Sequence, residues 1–324
     1  MIESKKTYYP KVDRLRIVAC LAVIVIHVTA TPVITLRPMS IQQLVFIFAN
    51  RIAKPSVPVF IFISGFLAYQ PAKPFQPARY VKKIKHLVVP YALWTLLYML
   101  VFVKTAGYPL SPQFYLKHLI LGDMVYHLYF MIILIQLTIF SPLLIKGARQ
   151  FGVVPFWLAS LFLQLLVGFL TIPYSDRLFI SYIAYYLFGF AMHHLNQYKR
   201  FSAVAVLLLG LIYTGTFIGA IDFGISMPQW GAASLYTFYS LAACAFLFYW
   251  LPNHPLSSTA HQFALATEHI YYAHPLAIMA GGYISIKLAY YSIIGQSLLA
   301  TALIFLTVIP ASMWYIRYKH FTKY

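Results

Sequence analysis

The sequence predicts an all-α, polytopic membrane protein: a helical bundle of about ten transmembrane helices, forming one domain over residues 1–324. Three observations predict it. Of 324 residues, 61% are hydrophobic and only 9% charged, a balance foreign to water-soluble domains. Apolar runs long enough to cross a hydrocarbon core of about 30 Å follow one another with short breaks. The basic residues gather in those breaks, as membrane topology signals do. The net charge of +18 therefore predicts no nucleic-acid partner.

The ten spans are expected near 15–35, 44–70, 87–104, 123–145, 153–173, 178–196, 202–221, 230–251, 264–285 and 293–316. No connection exceeds about twenty residues, which leaves no room for a second soluble domain. With an even number of spans both termini share one side, and 17 of the 24 lysines and arginines fall there. Both termini are expected in the cytoplasm, with the chain in the cell membrane. Cys20 and Cys244 lie inside predicted spans, so no disulfide framework is expected. No convincing cleavage site follows Lys5, Lys6 and Lys11, and the first span reads as a retained helix.

The first span carries an arginine at its mouth and a histidine in its middle. Arg16 and His27 are eleven residues apart, which leaves them about 20° from one another after three helical turns. His27 then sits roughly 16 Å deeper, about half way through the hydrocarbon. Cys20 and Thr31 fall on the same stripe. A helix lining a polar cavity has a use for such a stripe; a lipid-facing helix does not. The bland alternative is a snorkelling charge plus one histidine bonded inside the bundle. The second span is irregular, interrupted by Arg51, Lys54, Pro55 and Pro58.

The loop before the third span ends in Arg79-Tyr-Val-Lys82-Lys83-Ile-Lys85-His86, with the lysines placed where the next helix begins. Such a cluster either holds phosphates or anchors the chain to anionic lipid. Two further histidines lie in apolar surroundings: His127, in Tyr126-His-Leu-Tyr-Phe130, and His274, in Glu268-His-Ile-Tyr-Tyr-Ala-His274. Thr267, Tyr271 and His274 share one helical face. A lone buried histidine is usually structural, but several polar faces in a small bundle are costly unless they are used. Other chemistries find no motif. There is no His-Glu-x-x-His and no paired-cysteine spacing, so no metal is expected. Only Glu268, of six carboxylates, stands well inside an apolar run, which is few for a proton-coupled carrier.

The residues now reach a resemblance. Arg16, ten residues, then His27 resembles the signature of acyltransferase family 3, the integral-membrane acyltransferases of envelope molecules. Val57-Pro-Val-Phe-Ile-Phe-Ile-Ser-Gly-Phe66, the basic loop ending in Pro90, His127-Leu-Tyr-Phe130, Tyr185-Tyr-Leu-Phe-Gly189 and Ile270-Tyr-Tyr-Ala-His274 resemble the family in the same order. The small size is similar to the exopolysaccharide or intercellular-adhesin branch. The chain departs from the pattern at Lys83 and Lys85, where the family often has arginine, and at Glu268-His269, where it usually has uncharged residues.

The resemblance implies transfer of an acyl group, most often acetyl, from acyl-coenzyme A to a hydroxyl. No cofactor would be held permanently. Arg16 and His27 would be catalytic. Arg79, Lys82, Lys83 and Lys85 would hold the donor phosphates. His127, Tyr271, His274 and Glu268 would bind or orient the acceptor. Partners would be acyl-CoA, a saccharide or other envelope hydroxyl, the lipid bilayer and polysaccharide-synthesis proteins. The alternatives are a transporter or flippase of a polysaccharide or lipid-linked sugar, which makes no bond, and a structural partner of a glycosyltransferase.

Overall fold

The structure, a computed structural model, describes residues 8–69, 77–170, 172–195, 198–288 and 292–321. Its helices are α1 (Pro10–Thr35), α2 (Ile41–Ala53), α3 (Ser56–Ala68), α4 (Pro77–Ala106), α5 (Pro112–Leu121), α6 (Tyr129–Phe151) and α7 (Val153–Phe169). After two 3₁₀ turns come α8 (Ile183–Ala191), α9 (Lys199–Phe223), α10 (Gln229–Trp250), α11 (Ser258–Lys287), α12 (Ile293–Leu303) and α13 (Ile309–Phe321). A π-helical turn, Ile304–Val308, joins the last two. The described residues contain no strand, and the protein is an all-α polytopic membrane protein.

Among the described residues, seven helical stretches are long and apolar enough to cross a membrane: Pro10–Thr35, Ile41–Ala68, Tyr80–Ala106, Tyr129–Phe151, Lys199–Phe223, Gln229–Trp250 and Ile293–Lys319. Val153–Phe169 and Phe179–Ala191 are apolar but shorter. Helix α11 has the length, 30 residues, but carries His261, Glu268, His269 and His274. Serines start four helices: the hydroxyls of Ser40, Ser111, Ser257 and Ser292 accept from the amides of Gln43, Phe114, Ala260 and Gly295.

One boundary differs from expectation. Helix α4 begins at Pro77, so Lys82, Lys83 and Lys85 lie inside a helix rather than at its start. The segment around them contains no residue that stops a helix. The limit of the hydrocarbon sets where apolar residues begin, not where the helix does. Pro90 sits within α4 as well.

The chain divides into two compact units, one formed by the chain up to Phe60 and from Tyr198 onward, the other by Ile61–Gln197. In the first, α1 packs on α2, α10, α11 and α12, and α9 on α2 and α10. Its apolar centre joins Cys20 and Ile24 of α1, Ala266, Ile270 and Ala277 of α11, and Ile304 and Ile309. Cys20 thus belongs to a dry cluster although it shares a stripe with His27. Thr31 is exposed.

In the second unit α6 packs on α4, α5, α7 and α8. Two glycines bring α3 and α8 backbone to backbone. A Cβ on Gly65 would stand 1.9 Å from the Tyr186 carbonyl oxygen; one on Gly189 would stand 2.4 Å from the Phe62 carbonyl oxygen and the Phe66 nitrogen. Beside them the His193 ring stacks on Phe66 at 4.2 Å, and its Nε2 donates to the Phe66 carbonyl at 3.0 Å.

The break between α2 and α3 follows from prolines. Pro55 and Pro58 have no N–H to return to the carbonyls of Arg51 and Lys54. Two tyrosines of α10 act in their place. Tyr239 donates to the Arg51 carbonyl at 3.3 Å, and Tyr236 to the Lys54 carbonyl at 3.2 Å. The Lys54 amide also turns back to the Arg51 carbonyl, at 3.2 Å.

Candidate active site

Within the first unit the structure brings together residues from the two ends of the chain. The rings of His27, on α1, and His274, on α11, stack with centroids 5.2 Å apart and planes 25° off parallel. His274 is fully buried, at 0% exposure, whereas His27 keeps part of its surface open.

The orientation of His274 has a local cause. Pro275 follows it and has no amide hydrogen to give to the Tyr271 carbonyl. His274 Nδ1 donates to that carbonyl at 2.7 Å, and also approaches the Ile270 carbonyl at 3.2 Å. A carbonyl only accepts, so Nδ1 carries the hydrogen and Nε2 the lone pair. A tautomer fixed by backbone beside an imidazole with open surface is an arrangement that can accept a proton from a hydroxyl.

Tyr271 is buried, its ring 5.4 Å from Tyr272 and 6.3 Å from His274. Thr267, on the same face, spends its hydroxyl on the Ala264 carbonyl at 2.9 Å.

At the mouth of α1, Arg16 donates to Asp13 Oδ1 at 3.2 Å. The other oxygen of Asp13 accepts from His261 Nδ1, on α11, at 2.8 Å. Asp13 is 4% exposed, a buried carboxylate held between two basic groups. Arg14 reaches the His254 carbonyl at 2.5 Å. Glu268 stands at the surface within electrostatic reach of Lys319 and Arg16. Its neighbour His269 meets Tyr315 edge-on at 4.7 Å.

The second unit holds the remaining sequence-expected residues. His127 is 2% exposed, edge-on to Tyr98 and to Tyr126, each at 5.8 Å. Lys82, Lys83 and Lys85 are exposed along α4. The side chain of Arg79 lies outside the described residues. Among the described residues no group of three histidines, cysteines or carboxylates is placed to hold a metal.

Sequence reasoning missed Asp13, His261 and Asn50. Asn50 donates to the Ile26 carbonyl at 3.0 Å and to Thr29 Oγ1 at 2.8 Å, tying α2 to α1 beside His27. Asp13 had a visible signal, an acid three residues before Arg16. Asn50 had one too, an amide in an apolar run. Nothing in the sequence marked His261 as the distant neighbour of Asp13.

An apolar bundle with polar residues clustered on the inner faces of α1 and α11 fits an integral-membrane enzyme better than a water-soluble one. The comparison with protein families gives the class: the family model of the acyltransferase domain, acyltransferase family 3, matches residues 9–317. The chain belongs to that family and is a membrane acyltransferase. No curated protein and no solved structure matches it.

Proposed function

We propose that this membrane acyltransferase moves an acetyl group from acetyl-coenzyme A to a hydroxyl of a cell-envelope or exopolysaccharide sugar, with His27 as general base. The observation that carries the reading is the His27–His274 pair. His274 is locked by its own helix, while His27 keeps open surface, so His27 is the ring a substrate can meet. The acceptor oxygen attacks the thioester carbonyl as His27 takes its proton. The coenzyme A thiolate leaves and is protonated in turn. Arg16, steadied by Asp13 at the mouth of α1, binds the charged end of the donor and so places its thioester. Arg79, Lys82, Lys83 and Lys85 hold the donor phosphates from the cytoplasmic side, where both termini also lie. His127, Tyr271, His274 and Glu268 position the acceptor and the base. Proteins of polysaccharide synthesis supply the acceptor.

Purified protein incubated with labelled acetyl-coenzyme A and envelope polysaccharide tests the reading. Label on the polysaccharide is the expected result. Labelled polysaccharide with any other acyl-CoA but not acetyl-CoA would overturn the acetyl assignment. Translocation of a lipid-linked sugar with no label transferred would favour the flippase.

A further inference from the structure

Two cations stand one turn apart at the end of α2, Arg51 in its last turn and Lys54 just after it. Among the described residues neither has an acidic partner within ion-pair distance. Like charges at this spacing repel, and charge removed from water is costly without an opposite charge. Arg51 is 8% exposed. Its guanidinium lies 3.6 Å from the Phe217 ring centre and 5.7 Å from that of Tyr213. One nitrogen, Nη2, donates to Asn50 Oδ1 at 2.5 Å, while Nε is buried with no hydrogen-bond partner. Asp222, at the end of α9, accepts from Gln43 at 3.0 Å.

The surroundings hold this charge in place rather than neutralise it. Asn50 gives its amide hydrogens to α1, which aims its oxygen at Arg51. Tyr239 and Tyr236 hold the carbonyls of Arg51 and Lys54. The cluster adjoins the candidate base. Asn50 binds the carbonyl of Ile26, the residue before His27, and Lys54 is within electrostatic reach of the His27 ring. Along α1 it lies on the side of His27 away from Arg16, so it is separate from the positive charge assigned to the donor.

We propose that Arg51 and Lys54 bind an anionic group of the acyl acceptor, a carboxylate or a phosphate, and so seat its hydroxyl against His27. This rests on the reading of His27 as the base that meets the acceptor. The anion supplies the charge that the protein withholds. A neutral acceptor would leave both cations uncompensated, so the site selects acidic sugars or phosphate-linked ones.

Direct binding separates this proposal from the transfer chemistry. The full-length protein in detergent is titrated calorimetrically with a glucuronate-containing disaccharide, with its neutral glucose counterpart, and with inorganic pyrophosphate. Saturable binding of one anion, weakened at least tenfold in Lys54→Gln, is expected, with the neutral disaccharide bound more weakly and unaffected by the substitution. Binding of glucuronate alone identifies a sugar carboxylate; pyrophosphate bound alone and lost in Lys54→Gln identifies a phosphate linkage, whereas pyrophosphate binding that Lys54→Gln leaves unchanged belongs to the donor lysines and overturns the site. Failure of both anions to bind the unmodified protein, or equal loss of neutral and anionic ligands in Lys54→Gln, would overturn the site. Arg51→Gln removes a packed guanidinium and risks misfolding. Lys54→Gln is therefore the decisive variant, with acetyl-coenzyme A affinity as its control for folding. Absence of acetyl-coenzyme A turnover in the unmodified protein would count against the donor assignment alone and leave these binding results standing.

Discussion

Asp13 and His261, 248 residues apart in the chain, are joined by a 2.8 Å hydrogen bond, and the same carboxylate holds Arg16 at 3.2 Å. The acid sets where the guanidinium sits. Charge-assisted bonds are worth about 1.5–3 kcal/mol each. Asp13→Asn should therefore lower kcat/KM by about 10- to 100-fold in protein that still inserts, and His261→Gln by less. Assays on protein matched for folded fraction check this. A normal rate in the surviving folded Asp13→Asn protein would reduce the acid to a structural role.

The contact of α3 with α8 gives a second expectation. Alanine at Gly65 or Gly189 would place a methyl group 1.9 Å or 2.4 Å from backbone atoms, which cannot swing aside. Overpacking commonly costs about 1–3 kcal/mol even where side chains yield. Both variants should lose thermal stability in detergent or fail to accumulate. Gly215→Ala, with nothing within 4 Å of the added carbon, should be neutral or slightly stabilising.

His27→Gln should cut acyl transfer by about 10²- to 10⁴-fold, the usual cost of removing a general base. Insertion and donor binding should survive. His274→Gln tests the tautomer lock, since it takes away the ring that takes up the Tyr271 carbonyl; a loss no larger than tenfold is expected. Near-normal transfer by His27→Gln would refute its assignment as base and turn attention to transport.

For the basic helix, joint replacement of Lys82, Lys83 and Lys85 by Gln should raise the donor KM with little change in kcat, the pattern of lost uniform binding. Reporter fusions must accompany that assay, because the same lysines set topology. A fusion at the C-terminus and one between Gly224 and Pro228 should report opposite sides of the membrane. Unaltered donor kinetics in a correctly inserted protein would return the lysines to lipid anchoring.

Much of the fold was legible because apolar runs of spanning length leave few choices to a backbone that must satisfy itself in lipid. Each of the ten expected segments contains helix, although those near 123–145 and 178–196 open on turns or 3₁₀ helix. The start of α4 was not legible: hydropathy stops at the headgroups, and the helix through Lys82 does not. The face shared by Arg16 and His27 was read from spacing, but spacing could not tell that Cys20 on that face is packed among Ile24, Ile270 and Ile304. The hydrogen bond from His274 to the carbonyl freed by Pro275 was written in two adjacent letters and could have been read. The partners of Asp13 and Asn50 depend on which helices become neighbours, which periodicity does not reveal.

The prolines between α2 and α3 impose an order on the birth of the protein. The carbonyl of Lys54 waits for a tyrosine 182 residues later in the chain. At roughly 5–20 residues per second, translation delivers Tyr236 some ten to forty seconds after Lys54. Until then lipid offers that oxygen nothing, and an unsatisfied carbonyl in hydrocarbon costs several kcal/mol. The hydrogen bonding of the early helices is therefore complete only once α10 has been made.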